Sequence, residues 1–178
     1  MITPRRILLL RHAKSAWDEP GLDDYERPLA PRGRRAAAVM GVYIRDEELV
    51  PDLVLCSGAR RARETWAIAA HELTPGRGPA PAVEHDRALY MATGEFLLRR
   101  LRKLDGSVKS VLLVGHEGGV DALARRLASD GPAPLRRRLG EKYPTAALAV
   151  LAVELDGWAA LRDKAGTLTR FTAPKDLV

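Results

Sequence analysis

Cysteine is nearly absent. A single one, Cys56, occurs in 178 residues, which excludes a disulfide framework and a thiolate metal cluster. Its place in the apolar run 52–56 marks it as a buried strand residue. Long hydrophobic runs are missing too. No stretch approaches the roughly 20 apolar residues of a membrane span, and the run 7–10 behind Arg5 and Arg6 is too short for a signal-peptide core. The expected compartment is therefore the cytoplasm. Aromatic residues are few: three Trp, four Tyr and two Phe. That leaves little surface for stacking bases. The arginines are dispersed through helix-like segments (Arg34-Arg35, Arg99-Arg100, Arg136-Arg137-Arg138). The formal net charge of +6 thus argues for a solvated basic surface, or attraction to a phosphorylated acidic partner, rather than specific nucleic-acid recognition. Repeats and low-complexity tails are also lacking.

What is present is enough apolar residue, 46%, for one sizeable core, and the length suits a single domain over 1–178. The run 6–10 reads as a strand buried on both faces, as in a parallel sheet. A Pro- and Gly-punctuated loop over 17–31 precedes a helix over about 32–48, with Ala36, Val39, Met40 and Tyr43 on one face. Residues 53–56 form a second buried strand and 59–73 a helix. Residues 74–82 read as loop, and 83–89 as irregular or a short strand. Thr93 is a candidate N-cap for a helix lined by Phe96, Leu97, Leu101 and Leu104. Residues 111–114 are a third buried strand, followed by a helix over about 120–128. Three prolines and three consecutive arginines make 130–144 an exposed connection. A strand over 147–155, the turn Asp156-Gly157 and a hairpin partner over 158–162 follow, with a short edge strand over 168–171. Alternating strands and helices predict an α/β fold: a three-layer α/β/α sandwich with a mostly parallel sheet and a C-terminal antiparallel edge hairpin.

Three of the buried strands end in polar residues. Arg11-His12 follows the first, Ser57 to Arg61 the second, and His116 the third. Carboxyl ends of parallel strands lie on one side of a sheet, where such folds bind ligands, so these groups converge. Each alone has a bland reading: an incidental Arg-His pair, a solvated helix arginine, a histidine in a glycine-rich turn. Together they describe an anion site, and phosphate fits it. Guanidinium forks match phosphate oxygens, and helix N-termini near Ala59 and Gly118 add N–H groups. A neutral histidine is a competent nucleophile toward phosphorus, and neighbouring guanidinium groups disfavour its imidazolium form. His12 is the candidate nucleophile. Arg11, Arg61 and His116 are placed to stabilise the equatorial oxygens of a loose phosphoryl transition state. No metal or other cofactor is required. Ser15 is a candidate phosphate donor, and Glu117 a candidate acid or modulator, although a carboxylate there would repel phosphate and is expected to face outward.

These residues resemble the histidine phosphatase superfamily, the phosphoglycerate mutase-like fold. Its Arg-His-Gly signature is similar to Arg11-His12-Ala13. Its Ser-Pro-x-x-Arg-Ala-x-x-Thr motif is similar to Ser57-Gly58-Ala59-Arg60-Arg61-Ala62-Arg63-Glu64-Thr65, which puts Arg61 in the pocket rather than Arg60 or Arg63. His116, after a strand and a glycine, resembles its second histidine. The similarity is greater to small SixA-type phosphohistidine phosphatases. It is carried by Arg11-His12-Ala13-Lys14-Ser15 with Trp17, Glu26-Arg27-Pro28-Leu29 with Arg32-Gly33, Ala88-Leu89-Tyr90, and Pro144-Thr145-Ala146-Ala147-Leu148-Ala149. Three positions depart from the pattern: Ala13 for glycine, Gly58 for proline, and Glu117-Gly118 where Asn-Pro is frequent. Tyr90 either lines the pocket or anchors its loop. Asp18 is expected to order its loop, His71 to cap helix carbonyls, and His85 to be exposed.

The resemblance implies a phosphatase working through a phosphohistidine enzyme intermediate and releasing inorganic phosphate. Only 54 residues separate Arg61 from His116, little room for a capping lid, so an open site for a phosphorylated protein is expected. Imidazole leaves from phosphohistidine more readily than an alkoxide leaves from an ester, which suits a site without an obvious acid; Glu117, Asp18 and Glu95 are the carboxylates that could supply a proton. The expected partner is a phosphohistidine protein acted on by a monomer. The alternatives are a small phosphate ester or nucleotide as substrate, a non-catalytic phosphoprotein-binding module, and a basic RNA-associated protein.

Overall fold

The computed structural model describes residues 1–73 and 80–178. Their strands form one seven-stranded sheet in the order β3-β2-β4-β1-β6-β7-β5. The centre is β1 (Thr3–Arg11), β4 (Ser110–Gly115) and β2 (Leu53–Ser57), paired in parallel. Side chains on a strand alternate between faces, and the two faces are both apolar here. Ile7, Leu9, Leu55, Val111 and Leu113 enter one core cluster; Leu8, Leu10, Val54, Cys56, Leu112 and Val114 enter the other. The continuous apolar runs are thus explained: every residue has a covered face to fill.

The first cluster lies under α3 (Gly94–Leu101), α4 (Val120–Leu127) and α5 (Ala133–Glu141). The second lies under α1 (Pro31–Asp46) and α2 (Arg60–Leu73). This is the expected three-layer α/β/α sandwich. On α1 the buried face is Gly33, Ala37, Met40, Gly41 and Ile44; Met40 lies on it as expected, while Ala36, Val39 and Tyr43 fall beside it, about one residue round the helix. Small residues make that contact, and hydropathy does not flag them. Thr93 caps α3 as expected, its hydroxyl accepting the Phe96 N–H at 3.2 Å.

Several expectations are corrected. The segment 158–162 is not the hairpin partner of β6 (Leu148–Leu155). Trp158 begins a 3-10 turn and is buried under Arg5, its indole N–H donating to the Val108 carbonyl at 2.9 Å. β6 pairs antiparallel with β1 on one side and with β7 (Gly166–Thr172) on the other, and β7 is an inner strand because the three-residue β5 (Ala128–Asp130) pairs parallel to its far side. The stretch 130–144 is not all loop: α5 occupies its middle, with Pro132 at the N-cap and Pro134 in the first turn. Proline is tolerated there because first-turn N–H groups have no intrahelical acceptor. The segment 83–89 divides into the edge strand β3 (Ala82–Asp86) and a 3-10 turn. Of the loop expected over 74–82, residues 74–79 lie outside the described residues. Cys56 is fully buried, and burial pushes its thiol pKa up to about 12, an inert core position. Among the described residues no helix is long and apolar enough to cross a membrane.

Candidate active site

Parallel pairing puts Arg11 beside Gly115 and Cys56 beside Val114, so β1, β2 and β4 end together. The chain leaving β1 is braced from three sides. The His12 N–H donates to the Gly115 carbonyl at 2.9 Å, and the Ala13 N–H donates to the Thr65 hydroxyl at 3.0 Å. That hydroxyl donates in turn to the Arg61 carbonyl at 2.6 Å. Ala146, with a positive φ of 59°, points its N–H at the Arg11 and His12 carbonyls, 3.1 Å from each. The Thr65 and Pro144–Ala149 motifs therefore hold the turn at His12 by hydrogen bonds. Gly33 serves the same turn: a Cβ there would stand 2.1 Å from the Lys14 carbonyl oxygen.

The two histidines face each other with ring centroids 5.1 Å apart. His12 Nδ1 lies 2.7 Å from the Ala13 carbonyl oxygen, an acceptor only, so Nδ1 carries the hydrogen and Nε2 presents an unprotonated lone pair. Arg61 Nε donates to that lone pair over a long 3.3 Å. His116 takes the other tautomer: Nε2 donates to the Ser57 hydroxyl at 2.7 Å, and Nδ1 receives Arg61 Nη2 at 3.4 Å. Both rings are sequestered, 8% and 3% exposed. Burial is the first cause that lowers the His12 pKa to about 4; the Ala13 bond opposes it, and Arg61 and Arg11 add to it. Burial, then His12 and Arg61, lower the pKa of His116 to about 3. The guanidinium groups credited from the sequence thus act in the expected direction, but burial is the larger cause.

Each arginine carries a carboxylate. Arg61 donates from Nη1 to the Asp24 carbonyl at 2.6 Å and from Nη2 to Asp24 Oδ2 at 3.0 Å. Tyr90 donates its hydroxyl to the same Oδ2 at 2.6 Å, and this bond is the first cause holding the Asp24 pKa below the usual carboxylate value. Arg11 donates from Nη1 to the Tyr143 carbonyl at 2.6 Å and from Nη2 to Glu117 at 2.8 Å.

A cavity of about 260 Å³ opens over these groups, lined by Arg11, His12, Ser15, Arg61, His116 and Glu117, with Lys14, Asp24 and Thr145 beside them and Trp17 and Met91 at its mouth. All six candidate residues read from the sequence therefore share one pocket, and Glu117 turns to Arg11 rather than outward as expected, because the guanidinium offsets its charge. Arg60 and Arg63 turn away, to Glu64 and to the Gly58 carbonyl. Tyr90 anchors Asp24 and stands edge-on to His116. Asp18, His71 and His85 are exposed outside the pocket, and Glu95 pairs with Arg126. Asp24 escapes sequence reasoning, because its loop holds five acidic residues, Asp18, Glu19, Asp23, Asp24 and Glu26, and nothing local singles it out. Gly58 also gains a reason: a Cβ there would meet the Tyr25 hydroxyl oxygen at 2.1 Å.

Two neutral buried imidazoles and two guanidinium groups around a small cavity form a site whose charge and size suit a phosphoryl group. The model of the histidine phosphatase superfamily (branch 1) matches residues 7–89. An uncharacterized protein of Mycobacterium tuberculosis is 38% identical over 168 residues, 93% of this chain and 100% of the relative. The chain belongs to the histidine phosphatase superfamily. Within it, the chain is similar to SixA proteins. One from Agrobacterium tumefaciens, a proposed phosphohistidine phosphatase, has 31% identity and a TM-score of 0.78 over 97% of this chain and 99% of that one. The protein histidine phosphatase SixA solved with tungstate shares the fold, with 21% identity and a TM-score of 0.73 over the same shares.

Proposed function

We propose that this phosphatase removes the phosphoryl group from phosphohistidine on a protein, with His12 as nucleophile. The observation that carries the chemistry is the unprotonated Nε2 lone pair of His12, engaged only by the long bond from Arg61. It faces the cavity because Nδ1 is bound to the Ala13 carbonyl, and it stays unprotonated because the pKa is lowered to about 4. In the proposed reaction Nε2 forms a bond to phosphorus while the substrate N–P bond breaks, and the departing imidazole takes a proton from solvent. Arg11, Arg61 and His116 hold the three equatorial oxygens. Arrival of a dianionic phosphoryl group favours protonation of His116 Nδ1, which converts it from acceptor to donor. Water then hydrolyses the phosphohistidine on His12 and releases inorganic phosphate.

The reading of a protein substrate is supported by the mouth of the site. Trp17 and Met91 are large apolar side chains, 62% and 57% exposed, that line a small cavity. Such side chains at a rim suit contact with residues flanking a modified side chain. Among the described residues between α2 and β4, the elements are one edge strand, one 3-10 turn and α3, with no segment folded over the pocket as a lid. The test compares turnover of a phosphohistidine protein with a panel of small phosphate esters and nucleotides, using the wild type and His12→Ala. The expected result is a preference for the protein and loss of at least about 1,000-fold in the variant. Preference for an ester overturns the substrate, and full activity of His12→Ala overturns the nucleophile.

A further inference from the structure

The two carboxylates in the site differ in how firmly they are held. The Asp24 carboxylate is fixed by the Tyr90 hydroxyl, by Arg61 Nη2 and by Arg27 at 3.5 Å. Glu117 has one side-chain partner among the described residues, Arg11 Nη2, and its side chain is 65% exposed. The next residue, Gly118, has a positive φ of 87°, and a Cβ there would meet nothing within 4 Å. The carboxylate therefore sits on an unobstructed turn, attached to the pocket at a single point. That point is the guanidinium nitrogen a phosphoryl oxygen would use. Arg11 Nη1 is tied to the Tyr143 carbonyl, which leaves Nη2 as the guanidinium nitrogen that Glu117 and a phosphoryl oxygen would share.

We infer that Glu117 is a resident anion of the phosphate site. It occupies Arg11 in the free protein, yields that nitrogen to the incoming phosphoryl group, and then stands at the mouth as a fixed negative charge. Two consequences follow. Glu117 competes with the product, so its return to Arg11 promotes phosphate release. It also makes the mouth selective: a leaving group that is neutral or cationic, as imidazole is, passes, whereas a substrate bearing a second anion beside its phosphate is disfavoured. This selectivity deepens the phosphohistidine reading and rests on it; the competition for Arg11 does not.

The test uses the full chain and three proteins: wild type, Glu117→Gln, and Glu154→Gln as a control for charge removed from an exposed position on β6. Calorimetric titration with inorganic phosphate at low ionic strength is expected to show Glu117→Gln binding about two- to five-fold tighter than wild type, the range of a part-exposed ion pair. The difference should shrink in high salt, and Glu154→Gln should match wild type. Affinity unchanged in Glu117→Gln, or raised equally in the control, overturns the inference. A second readout is the ratio of kcat/KM for a carboxylate-bearing phosphate ester to that for p-nitrophenyl phosphate. It should rise several-fold in Glu117→Gln, and an unchanged ratio overturns the selectivity. If phosphohistidine proteins are not turned over while phosphate binding still tightens, the substrate reading fails and the resident anion stands. Unchanged unfolding midpoints in both variants tie these effects to the site rather than to stability.

Discussion

Replacing Gly58 by alanine tests whether the second strand end and the Asp24 loop are one mechanical unit. The new Cβ would lie 2.1 Å from the Tyr25 hydroxyl oxygen, whereas ordinary contact begins at 3.4 Å. The tyrosine must therefore retreat by about 1.3 Å. It cannot do so freely. Its ring stands edge-on to Tyr90 at 5.0 Å and under the Arg87 guanidinium at 4.7 Å, and its N–H is held by Asp23 at 2.8 Å. Overpacking of this kind costs about 1–3 kcal/mol. Gly58 has no positive φ, so alanine also gains about 0.4–1 kcal/mol by restricting the unfolded chain. The net expectation is a loss of about 0.5–2 kcal/mol. In a Tyr25→Phe background the clash is gone, because the next tyrosine atom, Cζ, lies at 3.4 Å. There the same substitution should be neutral or slightly stabilising. Urea unfolding of the four proteins of this cycle, compared at constant m, reads a coupling of about 1 kcal/mol or more. Because Asp24 adjoins Tyr25 and holds Arg61, kcat/KM should fall in Gly58→Ala and recover in the double variant. Gly58→Ala as stable as wild type, or equally costly in both backgrounds, refutes the reasoning.

Acid sensitivity follows from the histidines. Their folded pKa values are depressed from 6.5 to about 4 and about 3, so the contribution is complete above pH 6.5 and is lost as pH falls from there toward 4. In that window the unfolded chain binds protons that the folded one refuses, and stability should fall by up to about 1.4 kcal/mol per pH unit for each histidine. His116→Asn should show a shallower slope of unfolding free energy between pH 6.5 and 4; an identical slope counts against the assignment. Thr65→Val leaves the buried Ala13 N–H without its acceptor at 3.0 Å, and chemical denaturation should register a loss of about 1–3 kcal/mol. A loss below 0.5 kcal/mol would mean that the nucleophile turn is held by its other bonds.

The candidate site was legible in the sequence where local pattern and chemistry coincided. Runs of apolar residues ending in Arg11-His12, Ser57 and His116 mark buried strands with polar carboxyl ends, and the parallel order of such strands is enough to converge them. Motif resemblance separated Arg61 from Arg60 and Arg63. Asp24 was not legible, because its role depends on the distance from one loop carboxylate to a helix arginine and a tyrosine 66 positions away. Nor was β7 as partner of β6: the choice between 158–162 and 166–172 turns on Trp158 leaving the sheet to reach the Val108 carbonyl. The helix α5 was masked by a sequence rich in proline and arginine, and one buried residue, Leu139, secures it.

By itself, then, the sequence determined the layered fold and the residues that meet at the sheet end, since strand period and apolar content are local properties that each segment carries alone. Only the tertiary structure decided how those residues are charged and which of their atoms are free. Burial holds both imidazoles neutral, the Ala13 carbonyl and Ser57 hydroxyl assign opposite tautomers, and two carboxylates from unrelated loops occupy the arginines. Desolvation and hydrogen-bond partners are sums over neighbours distant along the chain, and the folded arrangement alone sets them.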